Sequence, residues 1–168
     1  MPDMPKTLQQ LALLREAVRP VLVGTINGAF DLFHAGHVAQ FTECRQHCGF
    51  LIVLVNSDAS VKRYKGPHRP ICTEQERAAI VEAMRAVDAV GIFDEDDPSA
   101  ALARIRPDVH FLGLSYADHA SKDYSARPVP ERPVIEASGG RILYIGQGLT
   151  GRTSSIIDRI RASLGQSE

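Results

Sequence analysis

The sequence predicts an α/β fold in which a single domain is built on a doubly wound parallel sheet. Continuous apolar runs of strand length, such as FLIVLV at residues 50–55, are typical of strands buried on both faces. Helical stretches separate these runs, and this alternation gives βαβ units with right-handed crossovers. Ligands of such folds bind at the carboxyl ends of the strands. The length of 168 residues, of which 44% are hydrophobic and 23% charged, fits one domain.

The first predicted element is an amphipathic helix at residues 6–18, which Pro20 stops. We treat residues 1–20 as an N-terminal helical region and residues 21–168 as the main domain. Nothing in this first helix suggests chemistry.

The main domain opens with a buried strand that begins at Val21 and ends in a turn built on Asn27 and Gly28. The next helix begins within the motif His34-Ala35-Gly36-His37. The remaining strands are predicted at residues 50–55, 87–93, 109–114 and 141–145, and a closing helix is predicted at residues 154–164.

Two further helices are predicted from their start signals. TEQE at residues 73–76 forms a capping box for a helix that extends to residue 86. Asp97 is the expected N-cap of a helix that has Pro98 in its first turn and ends before Pro107. This helix start also explains the acidic run at residues 94–97, so we predict no metal ligands there.

The composition excludes several classes of function. A formal net charge of -1 gives no overall field that would attract nucleic acid or an anionic membrane. No apolar run approaches the length of a membrane span, and the first residues lack the layout of a signal peptide, so we expect a cytoplasmic protein. The three cysteines include no C-x-x-C pair, which argues against a disulfide framework and a zinc site.

The motif at residues 34–37 is the strongest candidate for a functional site. His34 and His37 lie three residues apart in the first helical turn, where unpaired backbone N–H groups and the helix dipole favour an anion. Gly28 and Gly36 have no Cβ, so a ligand can approach the backbone closely at both positions. The pattern predicts a phosphate site, although a histidine pair on a helix is more often only a polar surface.

Basic residues concentrate in the segment KRYKGPHR at residues 62–69, and Arg77 follows one turn after the Thr73 cap. The segment can be a solvated loop, or it can bind a polyphosphate through charge-assisted hydrogen bonds, because it follows the second strand of the main domain. Residues 148–155 (GLTGRTSS) open the last helix as a cap or as a second phosphate anchor. The polar loop at residues 115–132 is either a binding lid or a disordered excursion.

Several motifs together give the chain a family resemblance. FDLFHAGH (30–37), VNSDASVKRYKGPHRP (55–70), EQER (74–77), VDAV (87–90) and GRTSSII (151–157) have the order and spacing of the cytidylyltransferase-like nucleotidyltransferases. Within that family the chain is most similar to enzymes that transfer AMP from ATP to D-glycero-β-D-manno-heptose 1-phosphate. The resemblance implies a Rossmann-like fold, Mg²⁺-dependent transfer of a nucleotidyl group to a phosphate, release of pyrophosphate, and a homodimer.

The resemblance also assigns roles to residues of this chain. The histidines would stabilise the transferring phosphate, and Lys65 would hold the triphosphate. The implied catalytic residues are therefore His34, His37 and Lys65. The implied nucleotide-binding residues are Asn27, Gly28, Phe30, Gly36, Lys62, Arg77, Thr153 and Ser154. The implied acceptor-binding residues are Asp31, Ser115 and Tyr116.

Some positions depart from the pattern of the heptose enzymes. Ile26 stands where they usually have Thr, and GLSY at residues 113–116 replaces their Gly-Gly-Asp-Tyr. These positions lie where the acceptor is expected, so they bear on the acceptor more than on the reaction. CTP with glycerol 3-phosphate or another small polyol phosphate is the alternative substrate pair. A nucleotide-binding regulator without turnover is a further alternative, but the presence of both histidines, Lys65 and Arg77 argues against it.

Overall fold

A computed structural model describes residues 5–113, 129–146 and 153–164 of the chain. In these residues five parallel strands form one sheet, in the order β3-β2-β1-β4-β5. The strands are β1 Val23–Gly28, β2 Phe50–Asn56, β3 Ala89–Phe93, β4 Val109–Gly113 and β5 Arg141–Ile145.

Helices cover both faces of this sheet, which confirms the predicted doubly wound α/β fold. Phe41 of α2 and Val81 of α4 belong to one buried cluster, and Leu11 of α1, Leu102 of α5 and Ile135 of α6 belong to the other. None of the described helices is long and apolar enough to cross a membrane. The helices are α1 Leu8–Ala17, α2 Ala35–Gln46, α3 Asp58–Lys65, α4 Glu74–Glu82, α5 Ser99–Ile105, α6 Arg132–Ala137 and α7 Thr153–Leu164.

Strand β2 shows why the sheet needs helices on both faces. Leu51, Val53 and Val55 contribute to one core cluster, while Ile52 and Leu54 contribute to the other. Because successive side chains of a strand point to opposite faces, a continuous apolar run is stable only where both faces are covered. All five side chains are fully buried.

The strand order places the histidine motif where a ligand is expected. From β1 the chain continues to β2 and β3 on one side, and it then returns to β4 and β5 on the other side. In doubly wound folds the connections diverge at such a reversal and leave a crevice outside the carboxyl ends of the strands. The reversal lies between β1 and β4, and the motif follows β1 directly.

Two predictions about the first strand are wrong. Val21 and Leu22 are exposed, and β1 begins only at Val23. Asn27 and Gly28 belong to the strand and continue its register with β2, so the turn follows them.

Two predicted helix bounds also differ from the structure. The helix that starts after the Thr73 capping box ends at Glu82, four residues before the predicted end. Pro98, and not Asp97, occupies the N-cap position of α5. Asp97 still serves the helix start, because its Oδ1 accepts a hydrogen bond from the Ser99 N–H at 2.8 Å. The capping box itself and the bounds of β5 agree with prediction. The closing helix begins one residue before its predicted start and ends where predicted.

Helices α3 and α6 were not predicted. Helix α3 includes the first half of the basic segment at residues 62–69, for which a loop was one interpretation. Ser57 caps this helix by accepting a hydrogen bond from the Ser60 N–H at 2.9 Å. Helix α6 begins at Arg132, where we expected the end of a loop. Residues 115–128, which make up most of that predicted loop, lie outside the described residues.

Helix α1 packs against α5 and β3 and shares their core cluster. Arg15 of this helix forms a 2.7 Å ion pair with Asp108, and the same carboxylate accepts a hydrogen bond from the Val23 N–H at 2.8 Å. The N-terminal helix is thus joined to the start of β1 by a shared carboxylate.

Leu11→Ala should lower the free energy of unfolding by about 2–5 kcal/mol, because it leaves a cavity in a fully buried position. Leu13→Ala on the same helix is the matched control, since Leu13 is 63% exposed, and it should change stability by less than about 0.5 kcal/mol. Urea unfolding measures both. Equal losses in the two variants would show that α1 does not pack as described.

Candidate active site

The turn between β1 and α2 has a strained backbone. Phe30 and Leu32 have φ angles of 48° and 46°, in the left-handed region that residues with a Cβ rarely adopt. Such strain persists only where surrounding contacts fix the conformation, and it is common at functional sites. The turn leads directly to His34, which is the N-cap residue of α2.

The two histidine rings lie against each other at this helix start. Their centroids are 3.8 Å apart and their planes differ by 20°. Nδ1 of His34 accepts a hydrogen bond from the Gly36 N–H at 3.1 Å, and Nδ1 of His37 accepts one from the His34 N–H at 3.4 Å. A nitrogen that accepts a hydrogen bond carries no proton, so each neutral ring is protonated at Nε2. Both rings therefore offer an Nε2–H donor on the side away from the helix backbone.

Both histidines are neutral at pH 7. Burial lowers the pKa of His37 to about 4, with further lowering by His34 and Lys65 and an opposing contribution from Asp31. Burial also lowers the pKa of His34. The pair consequently acts as two uncharged donors, and the positive charge of the site has to come from other side chains.

Two aromatic rings hold His37 in place. Phe30 packs edge-on at 5.5 Å between ring centroids, and Phe33 lies at 5.1 Å. Phe30 is itself buried, and its ring occupies the space that a side chain on Gly28 would fill. Phe30 and Gly28 thus help to pack His37 in place. The implied binding of the nucleotide by these two residues stays a prediction. The Gly36 N–H donates to Nδ1 of the N-cap residue His34, so it also has a partner within the protein.

Arg77 is 1% exposed and is bound entirely by protein groups. Its Nε donates to the Cys72 carbonyl at 3.1 Å, one Nη donates to the Ala29 carbonyl, and the other donates to the Asn56 carbonyl at 2.8 Å and to Asp58 at 2.7 Å. A buried guanidinium with these partners positions the backbone around the site. The implied binding of the nucleotide by Arg77 stays a prediction.

Asp31 is likewise engaged within the protein, although we predicted that it binds the acceptor. Its carboxylate is buried, accepts hydrogen bonds from the N–H groups of Ile71 and Cys72 at 3.0 Å each, and forms a 2.7 Å ion pair with Arg69. Burial alone would raise its pKa, but the two N–H donors, followed by Arg69 and Arg77, lower it. Asp31 is thus an ionised anchor that joins the motif turn to residues 69–72.

Lys65 lies at the end of α3 and faces the motif. It is close enough to contribute to the pKa of His37, and its own pKa is lowered by desolvation and by the neighbouring Arg69. Lys62 is exposed on the same helix and forms no ion pair with any described residue. Arg63, from the same basic segment, is bound by Asp94 and Asp96 and does not join the site.

The start of α7 also reaches the motif turn. Thr153 Oγ1 donates a hydrogen bond to the Asp31 carbonyl at 2.8 Å, and the exposed Ser154 follows it. Asn27, the last residue but one of β1, is half-buried. Ser115 and Tyr116, the other predicted acceptor residues, and residues 148–152 of the predicted glycine-rich turn lie outside the described residues.

No group of three or more histidine, cysteine or acidic side chains within the described ranges is arranged to hold a metal ion. Asp31, the carboxylate of the motif, is engaged by protein donors. Because Mg²⁺ is usually held by one or two carboxylates together with substrate phosphates, the magnesium ion that the resemblance implies stays a prediction.

Our reasoning from sequence missed the pairing of Asp31 with Arg69. The segment 62–69 was identified as basic, but charge alone does not show which cations are neutralised inside the protein. A usable signal was the position of Asp31, an acidic residue inside an otherwise apolar and aromatic motif, which had to find a partner if buried.

A family model described as cytidylyltransferase-like matches residues 25–135, more than half of the chain. The protein named Bifunctional protein HldE from Hyphomonas neptunium is 42% identical over 137 residues, which are 82% of this chain and 26% of that protein. The protein of the same name from Citrifermentans bemidjiense is 42% identical over 153 residues, which are 90% of this chain and 30% of that protein. The chain thus spans less than a third of the length of these relatives.

Solved structures share the fold. The crystal structure of the lipopolysaccharide core biosynthesis protein from Thermoplasma volcanium has a TM-score of 0.60 and 26% identity, and the match covers 74% of this chain and 96% of that chain. Pantoate-beta-alanine ligase from Francisella tularensis has a TM-score of 0.55 and 14% identity, with 98% of this chain and 80% of that chain covered. The second likeness concerns the fold alone.

Arg77→Met should lower the free energy of unfolding by about 3 kcal/mol or more, because it leaves three backbone carbonyls and Asp58 without their donor. Arg85→Met is the matched control, since Arg85 is exposed and pairs with no described carboxylate, and it should change stability by less than about 0.5 kcal/mol. Urea unfolding distinguishes the two. An Arg77→Met variant with the stability of the wild type would contradict the role of Arg77 as a backbone anchor.

Stability should fall as the pH is lowered from about 6.5 to about 4. The folded pKa of His37 is depressed to about 4, so in this window the unfolded chain binds a proton that the folded chain does not. The effect reaches at most about 3 kcal/mol. Thermal unfolding of wild type and of His37→Asn, which keeps an acceptor for the His34 N–H but does not titrate, measures it. The stability of the variant should depend less steeply on pH than that of the wild type. Identical slopes would refute the lowered pKa of His37.

Proposed function

Because the chain belongs to the cytidylyltransferase-like family and is a nucleotidyltransferase, we propose that it transfers AMP from ATP to a sugar 1-phosphate and releases pyrophosphate. The observation that carries the proposal is the pair of neutral imidazoles at the start of α2, whose Nε2–H groups have no hydrogen-bond partner among the described residues. Such a pair is suited to donate hydrogen bonds to phosphate oxygens as charge develops on them during transfer.

A heptose 1-phosphate is the first acceptor to test. The proposal is supported by relatives named Bifunctional protein HldE and by the structural likeness to a lipopolysaccharide core biosynthesis protein. It is supported further by the motif VNSDAS-x-KR-x-KG-x-x-RP, in which the chain is similar to the heptose enzymes.

The reaction is an in-line displacement at the α-phosphorus of ATP. An oxygen of the acceptor phosphate forms the new P–O bond, the bond to the β-phosphate oxygen breaks, and its electron pair leaves with pyrophosphate. The reaction needs no covalent intermediate on the protein, because positioning and neutralisation of charge supply most of the rate in phosphoryl transfer.

Several side chains around the motif position the phosphates and neutralise their charge. His34 and His37 donate through Nε2 to the phosphate in transfer, and the N-terminus of α2 adds its dipole. Lys65, together with Lys62 on the same helix, supplies positive charge for the triphosphate. Thr153 and Ser154 bring the start of α7 to the same turn. Two anions can approach each other only where such groups reduce their repulsion.

Magnesium is part of this proposal as the counter-ion that arrives with the nucleotide phosphates, since within the described ranges no group of three or more potential ligands is arranged to hold it. A homodimer, which the resemblance implies, stays a prediction.

His34→Ala and His37→Ala should each lower kcat by roughly two to three orders of magnitude, because each removes a donor used in the transition state. His47→Ala is the control, since His47 lies exposed at the other end of the same helix. Steady-state kinetics with circular dichroism as a check of folding measures the effect. Wild-type turnover in either motif variant would remove these histidines from the reaction.

The proposed function is tested most simply by pyrophosphate release over a panel of substrates. ATP and CTP are each combined with heptose 1-phosphate, other sugar 1-phosphates and glycerol 3-phosphate. The highest kcat/KM is expected for ATP with heptose 1-phosphate. A clear preference for CTP with glycerol 3-phosphate would replace the heptose assignment, and no turnover in any combination would favour a nucleotide-binding regulator.

A further inference from the structure

Arg69 is held beside the motif, but its guanidinium is only partly paired. One Nη lies 2.7 Å from Asp31 Oδ2, and 17% of the side chain is exposed. Its Nε–H is buried and has no acceptor among the described residues. An unpaired buried donor is unfavourable, and native proteins rarely keep one without a functional reason.

Asp31 does not neutralise the positive charge that gathers here. Its two oxygens already accept hydrogen bonds from the N–H groups of Leu32, Ile71 and Cys72 besides the ion pair with Arg69. These bonds fix the carboxylate rigidly, so it fixes the position of the Arg69 side chain in turn. The pairing orients the guanidinium and uses only one of its donor positions.

Lys65 adds a second cation at the same place. Lys65 ends α3, and the turn that follows brings Arg69 four residues later, where the Arg69 N–H donates to the Gly66 carbonyl at 3.2 Å. Arg69 is also the strongest of the charges that lower the pKa of Lys65. Lys65 has no carboxylate partner within the described parts of the chain. Two cations beside one carboxylate that is paired with Arg69 alone leave net positive charge near His37, and this arrangement favours an anion.

We propose that Arg69 and Lys65 together bind a phosphate group other than the one transferred at the histidine pair. The inference rests on the proposed function, in which two substrates bring several phosphates into one crevice. The ligand is either the β- and γ-phosphates of the nucleotide or the phosphate of the acceptor. Arginine suits this role because its planar fork can bind a phosphate while one nitrogen stays on Asp31.

The test compares Arg69→Lys with Arg63→Lys. Arg69→Lys keeps a charge for Asp31 but loses the fork, and Arg63→Lys changes an exposed arginine of the same segment that is bound by Asp94 and Asp96. Binding of inorganic pyrophosphate is measured by calorimetry. KM is measured with ATP varied and then with heptose 1-phosphate varied. Arg69→Lys should weaken pyrophosphate binding or raise one of the two KM values by about tenfold or more, with a smaller change in kcat. Arg63→Lys should change none of these three quantities.

The outcomes separate the two sources of phosphate. Weaker pyrophosphate binding with a raised KM for ATP assigns the pair to the nucleotide, and a raised KM for the acceptor alone assigns it to the acceptor. If all three values equal those of Arg63→Lys, the inference is overturned. The double variant Asp31→Asn/Arg69→Gln removes both charges of the buried pair and gives the same readouts should Arg69→Lys unfold.

These outcomes are also distinct from failure of the proposed function. Arg69-dependent pyrophosphate binding without turnover on the substrate panel would refute the transfer reaction and keep this site. Normal turnover that is insensitive to Arg69 would keep the reaction and refute the site. A wild type that neither turns over nor binds pyrophosphate would refute both.

Discussion

The active-site end of the sheet depends on one buried cation. Arg77 reaches from α4 to backbone carbonyls at three places: Ala29 after β1, Asn56 at the end of β2, and Cys72 before α4. Neighbouring strands and the segment ahead of α4 are therefore fixed relative to each other at their carboxyl ends. A buried guanidinium is stable only with its donors engaged, so these positions cannot change independently.

The positions of the histidines follow from this constraint. Arg77 binds the carbonyls of Ala29 and Cys72 and so holds these two residues together. Asp31, which closely follows Ala29, adds a second link because its carboxylate accepts a hydrogen bond from the Cys72 N–H. Contacts on both sides hold the left-handed turn at Phe30, which would otherwise relax. The site thus rests on polar groups that bind the backbone, and they orient the histidine motif.

Much of the fold could be predicted because it depends on local patterns. The apolar run of β2 predicts a buried strand, and the capping box at Thr73 predicts a helix start, because both depend on neighbouring residues in the chain. The histidine motif was correctly placed at a helix start. The roles of Arg77 and Asp31 could not be read in this way. Whether a charged residue is buried depends on partners far away in the chain, and here those partners are mostly backbone atoms, which carry no signal in the sequence.

The central claim is that the motif presents two neutral imidazoles that donate through Nε2. Nitrogen–proton correlation spectra of histidine-labelled protein test it most directly, because they report the tautomer and charge of each ring, and His34→Ala and His37→Ala assign the signals. At pH 7 both rings should carry a proton on Nε2 and none on Nδ1, and the pKa of His37 should be about 4. An imidazolium at pH 7, or a ring protonated at Nδ1 alone, would contradict it.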